Sequence, residues 1–229
     1  MFKQIIIPFT LFSFLVSANA DTLLKENFKN LTNWEDLHFE KIDRHSTYEI
    51  QDSILIAKSD NSASGIKFKK SYDIFKYPVL KFSWKINNVY EKGNALKKDG
   101  DDYPIRIYIM FEYDPDEAGF WDSIKYDLAK SIYGEYPPHS SLNYIWSNKV
   151  QENNIITSPY TDKAKMVVVD SSSTHLNEFR IHEVNILEDY VKAFGENPPI
   201  NVSIAIMTDS DNTHEKSLSY IDYIEVKSK

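Results

Sequence analysis

Apolar and polar residues alternate along most of this chain, which is the pattern of β-strands with one buried and one solvated face. The clearest segment is 80–86, where Leu80, Phe82, Trp84 and Ile86 share one face and lysine or serine side chains occupy the other. Comparable segments cover 22–28, 46–50, 53–58, 65–69, 105–113, 142–147, 165–170, 178–184, 200–209 and 218–227. This alternation predicts about ten strands in a mainly β fold.

Two segments depart from the alternation. Between residues 120 and 134 apolar side chains recur at helical spacing, and a second, shorter helix is expected over 187–194, ending at Gly195. No repeat, low-complexity tract or linker divides the rest of the chain. We therefore predict a single β-sandwich domain over residues 21–229, jelly-roll-like, with one or two short helical insertions.

The first twenty residues have the composition of a secretory signal peptide. Lys3 precedes an apolar run over 5–16, and Ala18 and Ala20 flank a small-x-small cleavage site. The apolar run is too short for a membrane-spanning helix, which needs about 20 residues. We expect residues 1–20 to be removed, leaving an exported bacterial protein, periplasmic or extracellular, without a transmembrane anchor.

Charge and cysteine content narrow the function classes. The chain has 34 acidic and 26 basic residues, a net charge of -8, which opposes binding to nucleic acid. It has no cysteine, so disulfides, thiolate metal sites and a lipidated cysteine anchor are excluded. Its sequence also lacks the HExxH, GxSxG and glycine-rich patterns of zinc proteases, serine hydrolases and nucleotide-binding proteins.

The first candidate site lies where a polar loop enters the strand 105–113. Asp101 and Asp102 are adjacent carboxylates that could bind Ca²⁺ or hydrogen-bond sugar hydroxyls. Arg106 and Tyr108 follow on the strand face opposite the apolar residues, where a mixed polar surface is typical of a sugar-binding groove. The alternative is a solvated acidic turn.

The second candidate site is the polar segment 208–213 at the end of another strand. Asp209, Asp211 and Asn212 resemble the first half of a Ca²⁺ loop, although the glycine and distal glutamate of an EF-hand are missing. The alternative is a hairpin turn before the last strand, because Asp and Asn are common in turns.

The third candidate site is the strand 142–147. Tyr144 and Trp146 share one strand face beside Asn143, and an aromatic platform next to an amide could hold a pyranose ring. Core packing explains the same aromatic pair and is the favoured alternative, because buried aromatic side chains outnumber ligand platforms.

Several of these segments together resemble an uncharacterised family of exported bacterial proteins, the domain of unknown function 3047 family. The similarity rests on KDGDDYPIRIY at 98–108, LNYIW at 142–146, EDY at 188–190, AFG at 193–195, PP at 198–199 and IMTDSDNT at 206–213. It implies one exported domain in which these polar residues cluster, and it implies no particular activity. A looser likeness to galactose-binding-like jelly rolls at the two chain ends implies Glu26 and Asp222 as ligands of a structural Ca²⁺.

These observations support two functions. The first is a non-catalytic protein that binds a glycan or another cell-envelope component, and the alternative is a glycan hydrolase or lyase that uses Asp101, Asp102, Asp209 and Asp211. Carboxylates about 5 to 10 Å apart across a groove would favour hydrolysis, whereas carboxylates clustered around one point would favour a metal or a structural network. In either case we expect the first two candidate sites to meet, with Arg106 neutralising part of their charge and the third beside them.

Overall fold

The structure is a computed structural model that describes residues 20–39, 41–116, 126 and 136–229. These residues form two packed β-sheets, as the alternating pattern predicts. The strands, in chain order, are β1 Thr22–Glu26, β2 Trp34–Leu37, β3 Thr47–Gln51, β4 Ile54–Asp60, β5 Ala63–Phe68, β6 Tyr72–Asp73, β7 Val79–Ile86, β8 Arg106–Phe111, β9 Ser140–Ser147, β10 Ile155–Thr157, β11 Ala164–Ser171, β12 Arg180–Asn185, β13 Asn201–Asp209 and β14 Lys216–Lys227.

The first sheet has six strands in the order β12-β7-β14-β4-β3, and β1 pairs with the end of β14. The second has eight strands in the order β10-β11-β9-β8-β13-β5-β2, and β6 pairs with the start of β13. Only β9 and β11 are parallel among the strand pairs of the described residues. The central strands β8 and β13 run antiparallel, with Arg106 opposite Met207.

The core lies between the two sheets and is built from the predicted alternate positions. Leu80, Phe82, Trp84 and Ile86 of β7 are fully buried, and they face the apolar residues of β8 and β13 across the sandwich. The strand expected from residue 200 begins one residue later, at Asn201, and Ile200 is 50% exposed although alternation places it on the inward face with Val202 and Ile204. The prediction of a mainly β sandwich is therefore confirmed, and the start of β13 differs from the expected one by one residue.

One helix, α1 Ile186–Phe194, directly follows β12 and coincides with the second predicted helix. Asn185 caps its start by accepting a hydrogen bond from the Glu188 backbone N–H, and Gly195 ends it with a φ of 78°. Tyr190 packs against Phe111 with ring centroids 4.4 Å apart, which seals one end of the core. The first predicted helix, between residues 120 and 134, and the predicted signal peptide lie outside the described residues except for Tyr126 and Ala20.

Candidate functional site

The first two candidate sites meet at one end of the eight-stranded sheet, as predicted. Because β8 and β13 are antiparallel neighbours, the start of β8 lies beside the end of β13. The loop before β8 therefore carries Asp101 and Asp102 to Asp209 and the turn that follows it. We refer to Asp101, Asp102, Asp209 and Asp211, together with Arg106, as the acidic cluster.

A tight loop positions the two carboxylates before β8. A short 3-10 helix, Lys98–Gly100, precedes Asp101, and the Gly100 carbonyl accepts a hydrogen bond of 2.7 Å from the Asn94 N–H. A side chain at Gly100 would lie only 2.7 Å from that backbone nitrogen, so the loop requires glycine here. The Asn148 side chain donates to the Asp102 carbonyl at 2.6 Å and ties this loop to the end of β9.

Arg106 and Asp209 form an ion pair at the centre of the cluster. Both side chains are buried, and the Arg106 Nη2 group contacts Asp209 Oδ2 while the Tyr103 N–H donates to Oδ1 at 3.1 Å. The guanidinium carbon lies 5.0 Å from the Tyr103 ring centroid and 5.2 Å from that of Tyr108, on which a cation is favourably placed. Arg106 therefore neutralises part of the carboxylate charge, as expected from the sequence.

Asp102 holds the turn after β13 against the loop before β8. Its carboxylate is fully buried and accepts hydrogen bonds from the Asn212 side chain at 3.0 Å and the Thr213 N–H at 2.6 Å. The Tyr160 hydroxyl in turn lies 3.1 Å from Asn212 Oδ1 and 3.0 Å from the Lys98 carbonyl. These bonds make the two loops and Tyr160 one connected wall.

Three carboxylates of the cluster are close enough to share a cation. Asp102, Asp209 and Asp211 each offer an oxygen, and these oxygens lie within 4.8 Å of one another. Carboxylate oxygens are the ligands that hard cations such as Ca²⁺ prefer. The triad can therefore hold a metal ion, and its clustering around one point meets the criterion for a metal site or a structural network.

Burial and mutual repulsion raise the pKa of three of these carboxyl groups. For Asp209, burial raises the pKa most strongly, Arg106 opposes it, and Asp102 adds to it. Burial also raises the pKa of Asp101, against Arg106 and the hydrogen bond from the Tyr103 hydroxyl at 2.9 Å. The pKa of Asp211 rises through burial and the proximity of Asp102. The single arginine does not offset the gathered negative charge.

A groove runs from the acidic cluster along the outer face of the eight-stranded sheet. At the cluster end is a cavity of about 740 Å³, the acidic cavity, whose lining includes Asp101, Arg106, Asp211, Asn212 and Tyr160. Beside it is a cavity of about 530 Å³, the tyrosine cavity, whose lining includes Tyr113, Tyr136, Met110 and Lys67. Both cavities are lined by Tyr108 and Phe39, so together they form one groove.

The structure separates the third candidate site from the cluster. Tyr144 and Trp146 are fully buried between the sheets, with the Tyr144 hydroxyl 3.0 Å from Asp189 and the Trp146 Nε1 group bonded to the Ser172 carbonyl. They do not form a ligand platform, because these alternate positions of β9 face the core. Asn143 lies on the outer face opposite Tyr108 but is also fully buried, and its amide donates to Ser141 and the Lys165 carbonyl.

The pair at the chain ends also differs from its predicted role. Glu26 is buried, and its two carboxylate oxygens accept hydrogen bonds from the Phe28 N–H at 2.8 Å and Trp34 Nε1 at 3.2 Å. Asp222 is exposed, at an irregularity in the pairing of β14 with β7. Glu26 therefore stabilises the start of the sandwich through its hydrogen bonds to Phe28 and Trp34.

Sequence reasoning missed several residues that complete the site. Tyr103 and Asn148 donate hydrogen bonds to Asp209 and to the Asp102 carbonyl, respectively. Tyr160 and Phe39 line the acidic cavity. Tyr160 lies in a turn between β10 and β11, and Phe39 lies in the loop between β2 and β3. Neither segment alternates or carries a local motif, so only the fold brings them to the groove.

The chain belongs to a family described as proteins of unknown function, DUF3047, whose model matches residues 32–225. This agrees with the resemblance found in the sequence. No protein of curated function matches the chain. Among the described residues, no helix has the length and apolar character required to cross a membrane.

Solved structures with a similar arrangement of strands are distant in sequence. The family 11 carbohydrate-binding module of a cellulosomal cellulase from Clostridium thermocellum is 11% identical with a TM-score of 0.42, covering 93% of this chain and 96% of that one. The acidic lectin of winged bean is 8% identical with a TM-score of 0.44, covering 92% and 99%. A family 29 module from Piromyces equi is 10% identical with a TM-score of 0.37, covering 93% of each chain.

We expect Asp209→Asn to destabilise the protein by about 3–5 kcal/mol, because the change leaves the Arg106 charge buried without its partner. Urea unfolding followed by tryptophan fluorescence measures this loss. The double variant Arg106→Met with Asp209→Leu should recover most of it, since it removes both buried charges. Asp60→Asn is the matched control, because Asp60 pairs with Lys216 at the exposed surface. A single variant as stable as the native chain would contradict a buried, interdependent pair.

In the presence of a chelator, we expect the contribution of the acidic cluster to the free energy of unfolding to decrease as the pH rises from about 4 to 7. Carboxyl groups with lowered pKa values, such as Asp170, contribute with the opposite sign. Asp101, Asp209 and Asp211 have pKa values raised above the ordinary 3.8, so the folded state binds protons more tightly than the unfolded chain there. That stabilising contribution is lost as the pH rises through the folded-state values. Urea midpoints measured across this range test it, and Asp211→Asn should flatten the profile. If the urea midpoints of Asp211→Asn change with pH as those of the native chain do, the raised pKa of Asp211 is contradicted.

Proposed function

We propose that this protein is an exported, non-catalytic glycan-binding protein of the bacterial cell envelope, and that the groove on the eight-stranded sheet holds the glycan. The composition of residues 1–20 supports export. The groove carries the proposal on binding, because it combines aromatic rings with polar groups along a preformed surface.

The groove offers both kinds of contact that a sugar ring needs. Tyr160 is 54% exposed, and the hydrogen bonds of its hydroxyl fix its ring at the side of the acidic cavity. Such a ring can pack on the apolar C–H face of a pyranose. Half-buried Asp211 and Asn212 line the same cavity and supply oxygen and amide groups for the sugar hydroxyls. Among the residues of the three candidate sites, these two and Tyr108 are the most accessible to a ligand.

Binding without catalysis is favoured because the two central carboxylates, Asp102 and Asp209, are engaged by protein groups. Both oxygens of Asp102 and both of Asp209 already accept hydrogen bonds or an ion pair from the protein. A general acid or nucleophile must reach the glycosidic bond, and these two groups are held in the wall instead. Asp101 and Asp211 are the remaining carboxylates for the hydrolase or lyase alternative.

We infer further that the Asp102, Asp209 and Asp211 triad binds Ca²⁺. Each carboxylate oxygen has a second lone pair beyond the one used in a hydrogen bond, so the existing contacts leave room for coordination. Burial is the main cause of the raised pKa values of Asp209 and Asp211, and Asp102 adds to it. A cation would offset both the burial of negative charge and the repulsion from Asp102. It would also fix the loop before β8 to the turn after β13, which together form the wall of the acidic cavity.

A glycan array probed with the purified chain from Asp21 onward tests the binding proposal. We expect binding to at least one polysaccharide class, and Tyr160→Ala should weaken it about 2–10-fold, the value of a lost aromatic contact of roughly 0.5–1.5 kcal/mol. Tyr220→Ala is the matched control, because Tyr220 lies on β14 of the opposite sheet, over Lys85. Absence of any glycan binding would refute the proposal, and release of shortened products would favour the enzyme.

Thermal unfolding with and without Ca²⁺ tests the metal proposal. Ca²⁺ that binds only the folded state at about 100 times its Kd adds about 2.7 kcal/mol, so millimolar Ca²⁺ should raise the Tm and chelation should lower it. Asp211→Asn should abolish the shift while the protein stays folded, since Asp211 is only half-buried. Asp60→Asn should retain it. An identical Tm at every Ca²⁺ concentration would remove the metal from the site.

A further inference from the structure

We infer that the groove binds a linear, uncharged polysaccharide along its length, as a run of several sugar units rather than as a single terminal sugar. This inference rests on the proposed function and adds the class of ligand. It comes from the shape of the groove, the distribution of its aromatic rings, its charge and two unsatisfied polar atoms.

The groove is long enough for several sugar units. The acidic cavity includes Arg106 at the start of β8, and the tyrosine cavity includes Phe111 at the end of the same strand. At about 3.3 Å per residue, the strand between them spans roughly 17 Å. A single pyranose would occupy only part of this length, and Tyr108 lies between the two ends and lines both cavities.

Aromatic side chains occur at successive points along the groove. Tyr160 lies in the acidic cavity, Tyr108 in the middle, and Tyr113 and Tyr136 in the tyrosine cavity. Tyr126 stacks on one face of the Tyr113 ring with centroids 3.7 Å apart, and Tyr136 packs beside it at 5.2 Å, inclined by 58°. A polymer presents one C–H face after another to such a series, whereas a single sugar would contact one ring or two.

The charges along the groove favour an uncharged polymer. Among the described residues, the acidic cavity is lined by Asp101, Asp209 and Asp211, opposed by Arg106 and Lys41. The charged residues described in the lining of the tyrosine cavity are Lys67, Lys163 and Glu112. Without a bound cation the carboxylates would repel an anionic polymer. With Ca²⁺ at the triad, the described charged groups of the acidic cavity together with Asp102 carry no net positive charge to attract it. A polycation would in turn meet the lysines at the other end.

Each end of the groove has a buried polar atom without a partner in the described part of the chain. These atoms are Nε of Arg106 in the acidic cavity and the hydroxyl of Tyr113 in the tyrosine cavity. Buried donors without a partner cost free energy, and such atoms concentrate at binding sites. These two atoms are covered in the unliganded protein, and hydroxyl groups of a bound sugar, which both donate and accept, can satisfy them once the neighbouring side chains shift.

Binding of oligosaccharide ladders tests the inference. Calorimetry would use cello-, xylo-, manno- and chito-oligosaccharides of one to six units, with Ca²⁺ present. For at least one ladder we expect the affinity to rise at least about tenfold, or about 1.4 kcal/mol, from the dimer to the hexamer. Tyr136→Ala should remove most of that gain and weaken the dimer less than the hexamer. Tyr160→Ala should weaken the dimer and the hexamer alike.

The outcome distinguishes this inference from the proposed function. Monosaccharide or dimer binding as tight as hexamer binding would overturn the linear polymer and leave glycan binding in place. Tighter binding of polygalacturonate than of the neutral oligosaccharides would overturn the inference that the ligand is uncharged. Failure of every glycan on the array would instead reject the proposed function itself. Tyr220→Ala, on the opposite sheet, should change none of these affinities, and it controls for the loss of a tyrosine.

Discussion

The pairing of β8 with β13 is the constraint on which the site depends, and the ion pair between Arg106 and Asp209 lies where these strands meet. Burying two charges costs several kcal/mol per ion, and mutual attraction repays it only when the remaining polar atoms find partners. Here the Tyr103 N–H donates a hydrogen bond to the Asp209 oxygen that Arg106 does not contact, and two tyrosine rings lie beside the guanidinium. Removing either charge therefore affects the wall of the groove as well as the fold.

A second buried carboxylate ties the two sheets together elsewhere in the sandwich. Asp170 of β11 accepts hydrogen bonds from Trp84 Nε1 at 2.8 Å and from His182 Nε2 at 2.5 Å, both in the six-stranded sheet. Its pKa is lowered: burial alone would raise it, but the hydrogen bonds from His182 and Trp84 outweigh that effect. Asp209 also has donors, Arg106 and the Tyr103 N–H, but it differs from Asp170 in having the carboxylates of Asp102 and Asp211 close by. A cation would therefore reduce repulsion at Asp209.

The cluster and the groove are two parts of one arrangement. Asp102 binds Asn212, and Asn212 in turn lies within hydrogen-bond distance of the Tyr160 hydroxyl, so the buried carboxylates determine where an exposed aromatic ring stands. The buried carboxylates, whose burial costs free energy, thus position the exposed Tyr160 ring at the groove. Under the proposed function, a metal at the triad would therefore influence glycan binding without touching the glycan.

Much of the fold followed from the sequence, because alternation reports directly on strands with one buried face. The apolar positions of β7 and β8 and the helix ended by Gly195 were predictable from local pattern. The proximity of Asp101 to Asp209 was expected from the polar residues at two strand ends, but it depends on the pairing of β8 with β13. The role of β9 was not predictable. All eight of its residues are buried, since one face packs in the core and the other is covered on the outer side of the sheet. Alternation assigns its residues to two faces, but it does not show which face adjoins a groove. The sequence therefore could not decide whether Tyr144 and Trp146 pack in the core or form a surface for a ligand. Tyr160 and Phe39 reach the groove from loops without any periodic signal, and their position was decided only when distant strands paired in three dimensions.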